Sequence, residues 1–138
     1  MSLTILIGLP GSGKSYTIAQ QRFDQVYDDF ISDFYNGHVI DALQKGRKIS
    51  VADPRLCDFT IFSRYLNIFE QFIDPSHIRL ILFENNPQQC LINIQLRNDS
   101  RRNVERTLHL YSSFYHLDNY IKLDYPFTIL PVWTPSNV

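Results

Sequence analysis

Residues 3–15 read Leu-Thr-Ile-Leu-Ile-Gly-Leu-Pro-Gly-Ser-Gly-Lys-Ser, an apolar run that leads directly into the pattern G-x-x-x-x-G-K-S at residues 8–15. The run at 3–7 is typical of a buried parallel strand. The stretch 14–23 contains neither Pro nor Gly and predicts a helix. A strand, a glycine-rich loop and a helix in this order form the context in which such a loop binds phosphate groups. The sequence therefore predicts a nucleoside triphosphate site at residues 8–15.

Each position of the octet suits a triphosphate. Gly11 and Gly13 lack a Cβ, so the backbone can curl around the phosphates and present several N–H groups to them. Lys14 is predicted to reach the β- and γ-phosphate oxygens, and the Ser15 hydroxyl is predicted to bind Mg²⁺. The predicted nucleotide-binding residues are Gly8, Pro10, Gly11, Ser12, Gly13, Lys14, Ser15, Tyr16 and Arg102.

The composition is typical of a globular protein with no general affinity for nucleic acid. The chain has 138 residues, of which 44% are hydrophobic and 20% charged, and its net charge is −1. This length predicts one domain over residues 1–133, followed by a loose tail at 134–138. A net charge so close to zero gives no global attraction to a polyanion.

The sequence favours a cytoplasmic location. No apolar run approaches the length of a membrane span, and the first predicted strand begins too early for a signal peptide to precede it. Cys57 and Cys90 have no metal-ligand spacing and are predicted to be buried, reduced thiols. The four histidines share no ligand spacing either, so we expect no metal other than the Mg²⁺ of the nucleotide.

Strand and helix patterns alternate along the chain, which predicts an α/β protein with a doubly wound parallel five-stranded sheet. The predicted strands are residues 3–7, 25–27, 48–52, 78–83 and 127–130. The predicted helices are residues 14–23, 38–45, 59–72, 87–97 and 104–117. Ligands of such sheets bind at the carboxyl ends of the strands, so we expect the functional residues just after each strand.

Carboxylates follow the second and third predicted strands, which we expect to neighbour the phosphate-loop strand. A kinase needs a base beside the acceptor hydroxyl and a carboxylate near Mg²⁺. Asp28 is the predicted base, with Asp29 as the alternative and Asp33 as a weaker candidate. Asp53 is predicted to hold Mg²⁺ through a bound water. The alternative for all of these acids is a role in helix capping or in turns.

Four arginines lie close together in the sequence: Arg97, Arg101, Arg102 and Arg106. A guanidinium stabilises the charge that spreads over a transferring phosphoryl group, so Arg97 and Arg101 are predicted to be catalytic residues on a mobile lid. The alternative is that the arginines lie at solvated helix ends and pair with nearby acids. Arg55, just after Asp53, is a candidate for holding an acceptor phosphate.

The chain resembles the small P-loop kinases, including the polynucleotide, nucleoside-monophosphate, gluconate and shikimate kinases. The residues that carry the resemblance are the octet at 8–15, Tyr27-Asp28-Asp29-Phe30, Val51-Ala52-Asp53-Pro54-Arg55, the segment 82–87, Arg97 and Arg101-Arg102. The resemblance implies a kinase-like P-loop NTPase fold that uses ATP and Mg²⁺. It is strongest to polynucleotide kinases, in which an Asp after the second strand is the general base. The arginine expected shortly after that acid is absent here, so the resemblance leaves the acceptor open.

Together these features predict an ATP-dependent phosphotransferase acting on a small molecule, a nucleotide or a nucleic-acid end. One alternative is an ATPase or a nucleotide-regulated module that has no phosphoryl acceptor. Another is a relative that binds nucleotide without turnover. No N-K-x-D run for guanine recognition is present, which disfavours a GTPase.

Overall fold

The computed structural model describes residues 2–97 and 103–135, which form a five-stranded parallel sheet flanked by helices. The strands are β1 (Ser2–Ile7), β2 (Gln25–Asp28), β3 (Lys48–Ala52), β4 (Ile78–Phe83) and β5 (Phe127–Leu130). The helices are α1 (Lys14–Ala19), α2 (His38–Gln44), α3 (Phe59–Phe69), α4 (Pro87–Leu96), α5 (Val104–Ser112) and α6 (Leu117–Ile121). Short 3₁₀ segments lie at Phe30–Asn36, Pro54–Cys57 and Pro75–His77. The predicted α/β class and all five predicted strands are confirmed.

The strand order is β2-β3-β1-β4-β5, which places β1 at the centre of the sheet. Ile5 of β1 is in register with Val51 on one side and with Leu80 on the other. The expectation that β2 neighbours β1 is wrong, because β3 lies between them and β2 forms the edge. Alternating strands and helices predict a parallel sheet, but they do not reveal in which direction each crossover moves along it.

Helices cover the sheet on both faces. Leu3, Ile5 and Ile7 point into the larger core, to which α2, α3, α4, α5 and α6 contribute buried side chains. On the other face, Leu6 belongs to a smaller cluster against which Ile18 of α1 packs. The alternation of buried side chains along β1 therefore supplies both layers, as expected of a strand buried on two faces.

The ends of three predicted helices differ from the structure. Helix α1 ends at Ala19 rather than at residue 23, and α3 ends at Phe69 rather than at 72. The helix predicted over 104–117 is interrupted after Ser112. There Asn85 Nδ2 donates to the carbonyl oxygens of Ser112 (2.9 Å) and Tyr115 (3.0 Å). A side chain from another part of the chain thus provides a hydrogen-bond donor for carbonyl groups at the C-terminal end of α5. Such a tertiary contact leaves no local pattern in the sequence.

The two thiols are buried, as predicted. Cys57 and Cys90 are both free cysteines in the core. Burial raises the pKa of Cys57 to about 12 and that of Cys90 to about 11, so both stay protonated and unreactive at neutral pH.

Within the described part of the chain, no helix is long and apolar enough to cross a membrane.

Candidate functional site

The glycine-rich loop at residues 8–13 leaves the end of β1 at the centre of the sheet and leads into α1. Gly11 has φ +83° and Gly13 has φ +106°, both in the left-handed region. A Cβ at Gly11 would lie 2.5 Å from the carbonyl oxygen of Cys90, and one at Gly13 would lie 2.6 Å from Cβ of Trp133. Both positions therefore require glycine for backbone conformation and for space.

Lys14 curls back into the loop that precedes it. Its Nζ donates to the carbonyl oxygens of Gly8 (2.7 Å) and Leu9 (2.9 Å) and lies 3.4 Å from Ser12 Oγ. Only 9% of Lys14 is exposed, and this burial lowers the pKa of its ammonium group. The structure shows the Lys14 ammonium group bonded to the loop itself, and its contact with β- and γ-phosphate oxygens stays a prediction.

The side chain of Asn93, on α4, joins the loop to the segment that follows β5. Its Nδ2 donates to the carbonyl oxygens of Gly11 (2.8 Å) and Trp133 (2.7 Å), and its Oδ1 accepts from Gln89 Nε2 at 3.0 Å. The Trp133 N–H closes the connection by donating to the Ser12 carbonyl at 3.0 Å. Two distant segments, α4 and the segment after β5, thus fix the loop conformation. Asn93 was not predicted, and the only signal for it is a polar residue between apolar neighbours on α4.

Tyr115 fixes the strand ends from which the site projects. Its hydroxyl bonds to the Phe83 carbonyl at 2.5 Å and lies 3.1 Å from the Ile7 carbonyl, at the last residues of β4 and β1. The side chain is 1% exposed, and burial raises its pKa. Two neighbouring strands are therefore tied together directly before the loop.

A cavity of about 450 Å³, here called the loop cavity, opens beside the glycine-rich loop. It brings together residues that the sequence predicted for the site, including the alternative base Asp29: Gly11, Ser12, Gly13, Lys14, Ser15, Asp28, Asp29 and Arg97. Tyr16 also lines it, and its ring lies 5.8 Å from that of Trp133, centroid to centroid, at an interplanar angle of 40°. Trp133 was not predicted as a site residue, although its position just after the last strand could have suggested it.

A second cavity of about 410 Å³, here called the side cavity, adjoins the first. Asp29 and Pro54 line both cavities, so a group bound in one lies next to a group bound in the other. The predicted loop residue Pro10 lines the side cavity rather than the loop cavity. The remaining polar lining is supplied by Ser32, Asp53, Arg55 and Thr107.

The carboxylate of Asp53 is fully occupied by protein groups. Its Oδ1 accepts from the backbone N–H (2.9 Å) and Nε (2.9 Å) of Arg55, and its Oδ2 accepts from Nη2 (2.8 Å) of the same residue. The Ile31 N–H also donates to Oδ2, at 3.2 Å. Asp53 is 0% exposed and does not line the loop cavity. The predicted role of Asp53 in holding Mg²⁺ through a bound water stays a prediction, and both carboxylate oxygens already accept from Arg55.

Asp28 and Asp29 both reach the loop cavity. An extended backbone would turn one of them away, but the backbone of Asp29 is left-handed, with φ 50° and ψ 40°. Its N–H donates to Asp28 Oδ1 at 3.2 Å. The turn at the end of β2 therefore brings both acids to one side.

The predicted arginine lid is described only in part. Arg97 follows the last residue of α4 and lines the loop cavity. Arg101 and Arg102 lie outside the described residues. Arg106 is exposed on α5, and Asp33 is exposed on the segment after β2 and lines neither cavity.

No family model matches the chain. A comparison with curated proteins finds 46% identity over 127 residues with the Uncharacterized protein R277 of Acanthamoeba polyphaga mimivirus. The aligned region covers 89% of this chain and 92% of the viral protein. The chain belongs to the family of R277. The R277 family thus includes a member in which a glycine-rich loop, two acids and an arginine meet in one cavity.

The chemical capacity of this arrangement follows from its groups. Loop N–H groups and the Lys14 ammonium can bind an anion, and carboxylates can hold a divalent cation or accept a proton. The aromatic pair Tyr16–Trp133 adds an apolar face to the same cavity.

Proposed function

We propose that the chain is an ATP-dependent phosphotransferase of the P-loop kinase type. The observation that carries the proposal is that Lys14 and Ser15 share the loop cavity with Asp28 and Asp29, and that a second cavity opens beside these acids. A phosphate loop alone would suit any nucleotide-binding protein. A neighbouring cavity that shares an acid with the phosphate site favours a transferase, because it offers a place for an acceptor.

The loop fits the donor nucleotide. Gly11 and Gly13 have positive φ and pack closely against Cys90 and Trp133, so the loop can hold a curled conformation in which its backbone N–H groups meet phosphate oxygens. Lys14 exchanges its bonds to the loop carbonyls for bonds to phosphate oxygens. The adenine base stacks on the aromatic pair Tyr16–Trp133, since base–aromatic stacking contributes about 1–3 kcal/mol per base.

Mg²⁺ is expected between Ser15 and Asp28. Ser15 is exposed within the cavity, and Asp28 is the acid whose charge acts more strongly than that of Asp29 to raise the pKa of Lys14. Mg²⁺ would neutralise the charge of the phosphates. Asp53, with both oxygens bonded to Arg55, is left to position that arginine.

Asp29 is the general base in this proposal, in place of Asp28. Asp29 lines both cavities, which supports a role beside an acceptor hydroxyl and the γ-phosphate. It takes the hydroxyl proton as the oxygen–phosphorus bond forms and the bond from the γ-phosphorus to ADP breaks. Arg97 stabilises the charge that spreads over the transferring group.

The proposal is tested by nucleotide-dependent stabilisation. Magnesium and a non-hydrolysable ATP analogue should raise the Tm of the wild-type protein, and the increase should disappear in Lys14→Met and shrink in Ser15→Ala. Gln95→Ala is the matched control, because Gln95 is exposed on α4 and lines neither cavity. An equal rise of Tm in Lys14→Met and in the wild type would exclude nucleotide binding by this loop. Hydrolysis that no acceptor accelerates would favour the ATPase alternative.

A further inference from the structure

The side cavity has the size and position of a small-molecule site. Its volume of about 410 Å³ lies within the range of roughly 300–1,000 Å³ that is common for ligand pockets. Asp29 and Pro54 form its border with the loop cavity. An acceptor bound here would lie directly beside the phosphoryl group that the proposed function transfers.

The charge of this cavity does not favour an anionic acceptor. Among the residues described, Arg55 is the one cationic side chain that lines it. The fully buried carboxylate of Asp53 takes Nε at 2.9 Å and Nη2 at 2.8 Å, so the guanidinium already has a bidentate counter-ion. A phosphate placed against Arg55 would also lie close to the Asp53 carboxylate, and that repulsion opposes much of the attraction.

The hydrogen-bonding groups of the side cavity instead suit hydroxyl groups. Arg55 Nη2 donates to Ser32 Oγ at 2.8 Å, which orients both groups at the cavity wall. The Thr107 hydroxyl donates to the Asn103 carbonyl at 3.0 Å and so offers an acceptor to a ligand, whereas the Ser32 hydroxyl, which accepts from Arg55, can donate. The hydroxyls of a sugar ring can bond to both kinds of group. Tyr111 and Leu110 provide an apolar wall against which the carbon face of a ring can pack.

We propose that the side cavity binds a neutral, hydroxyl-rich acceptor of monosaccharide to nucleoside size. The proposal rests on the ion-paired Arg55, on the hydroxyls of Ser32 and Thr107, and on the apolar wall. The same cavity discriminates against the phosphorylated form of that molecule. The inference rests on the proposed function, because the cavity serves as an acceptor site only if the loop cavity holds a phosphoryl donor. If the side cavity prefers neutral compounds, nucleoside monophosphates and phosphorylated nucleic-acid ends are excluded as acceptors, although the sequence alone left them open.

The test uses matched pairs of compounds. Aldoses, linear polyols and nucleosides are each offered beside their monophosphates to the full chain with Mg·ATP, and ADP release and the phosphorylated product are measured. Binding is measured separately by saturation-transfer NMR with a non-hydrolysable ATP analogue present. We expect at least one neutral compound to bind and to be phosphorylated, and its monophosphate to bind at least about tenfold more weakly. Comparing the sugars with the nucleosides shows which of these two compound classes supplies the hydroxylated ring that the cavity binds.

Two variants connect the result to the side cavity. Tyr111→Ala should weaken binding of the neutral compound at least about fivefold while the nucleotide-dependent rise of Tm persists. Tyr35→Ala is its control, since Tyr35 is 86% exposed and lines neither cavity. Thr107→Lys adds a second cation to the cavity lining and should shift the preference towards the monophosphate. Thr60→Lys, at an exposed position of α3 outside both cavities, should leave the preference unchanged.

The possible failures are distinguishable. A wild-type preference for the monophosphate, or unaltered acceptor binding in Tyr111→Ala, would overturn the inference. Nucleotide binding without binding or phosphorylation of any neutral compound would overturn it as well, while leaving the nucleotide site in place. A protein that binds no nucleotide would overturn the proposed function and this inference together.

Discussion

Asn93 donates a 2.8 Å hydrogen bond from Nδ2 to the carbonyl oxygen of Gly11, a residue 82 positions earlier in the chain. The same amide nitrogen bonds the Trp133 carbonyl at 2.7 Å, so one side chain holds both the phosphate-loop backbone and the segment after the last strand. The loop conformation is therefore a property of the folded core rather than of the glycines alone.

Replacing Asn93 with Ala should loosen the loop. Two backbone carbonyls lose their donor in a site where Asn93 itself is 5% exposed, which predicts a loss of roughly 1–3 kcal/mol in unfolding free energy. Nucleotide affinity should fall with it, because the loop then has to be ordered on binding. Urea unfolding and calorimetric titration measure the two effects, with Gln95→Ala as control. Unchanged affinity in a destabilised Asn93→Ala protein would show that the loop is ordered by other contacts.

Gly13→Ala should be far more damaging than Gly37→Ala. Both glycines have positive φ, +106° and +80°, so both variants incur backbone strain of roughly 1–2 kcal/mol. A Cβ at Gly37 meets nothing within 4 Å, whereas one at Gly13 lies 2.6 Å from Cβ of Trp133. The difference in unfolding free energy between the variants isolates this steric contact. Equal losses in the two variants would mean that Trp133 moves aside freely.

Because of Lys14, nucleotide affinity and the free energy of unfolding should change in opposite directions as the pH rises into the alkaline range. Burial lowers its pKa from the ordinary value of 10.5 in the folded chain. Between the lowered value and 10.5 the unfolded chain binds more protons, so the Lys14 contribution to stability rises with pH in that window. Nucleotide affinity should fall over the same window, because a neutral amine does not pair with phosphate.

Titrations at several pH values measure both slopes, and Lys14→Met should flatten them. Lys45→Met serves as control, because the Lys45 side chain is 62% exposed and lines neither cavity. An affinity that stays constant up to pH 10.5 would contradict the proposed contact between Lys14 and phosphate.

Asp28 and Asp29 should have different roles in phosphoryl transfer. Asp29→Asn keeps the shape but cannot accept a proton, which predicts a loss of about 10²–10⁴ in kcat for a general base. Asp28→Asn should instead raise the Mg²⁺ concentration that half-maximal activity requires, and Asp33→Asn should change neither. If Asp28→Asn lost the turnover and Asp29→Asn kept it, the base would be Asp28. Full turnover in both variants would disprove the carboxylate mechanism.

Tyr115→Phe removes one oxygen and should still destabilise the protein. Its hydroxyl bonds the Phe83 carbonyl and lies 3.1 Å from that of Ile7 in an environment where the side chain is 1% exposed. Loss of a buried hydrogen bond predicts a decrease of roughly 1–3 kcal/mol. Tyr35→Phe, at a position that is 86% exposed, is the matched control and should leave the denaturation midpoint unchanged.

Individual strands and helix starts could be predicted from the sequence because each depends on residues close to it in the chain. Strands β3, β4 and β5 begin and end at the residues that the sequence predicted. Asp58 and Asn86 accept from the N–H groups of Thr60 and Gln89 and so cap α3 and α4, as residues of this type do just before a helix. The grouping of Lys14 with the acids of β2 at one sheet edge follows from parallel strands alone.

The strand order and the contacts between distant elements could not be predicted from the sequence in this way. The position of β3 between β2 and β1 depends on how each crossover packs, and Asn93 matters only because α4 passes beside the loop. The place of Asp53 after a strand predicted a carboxylate near Mg²⁺, and that role stays a prediction. Its neighbour Arg55 could have extended into solvent, and only the folded backbone shows that it turns back to occupy both oxygens.

The central position of β1 also has a consequence during synthesis. Both strands that pair with it lie later in the chain, in register at residues 48–52 and 78–82. On a ribosome the apolar run at 3–7 emerges long before its second partner has been translated. Nascent chains that stop before β4 therefore keep one side of β1 unpaired, and unpaired apolar edges promote aggregation. Premature termination is thus expected to yield insoluble fragments rather than smaller folded units.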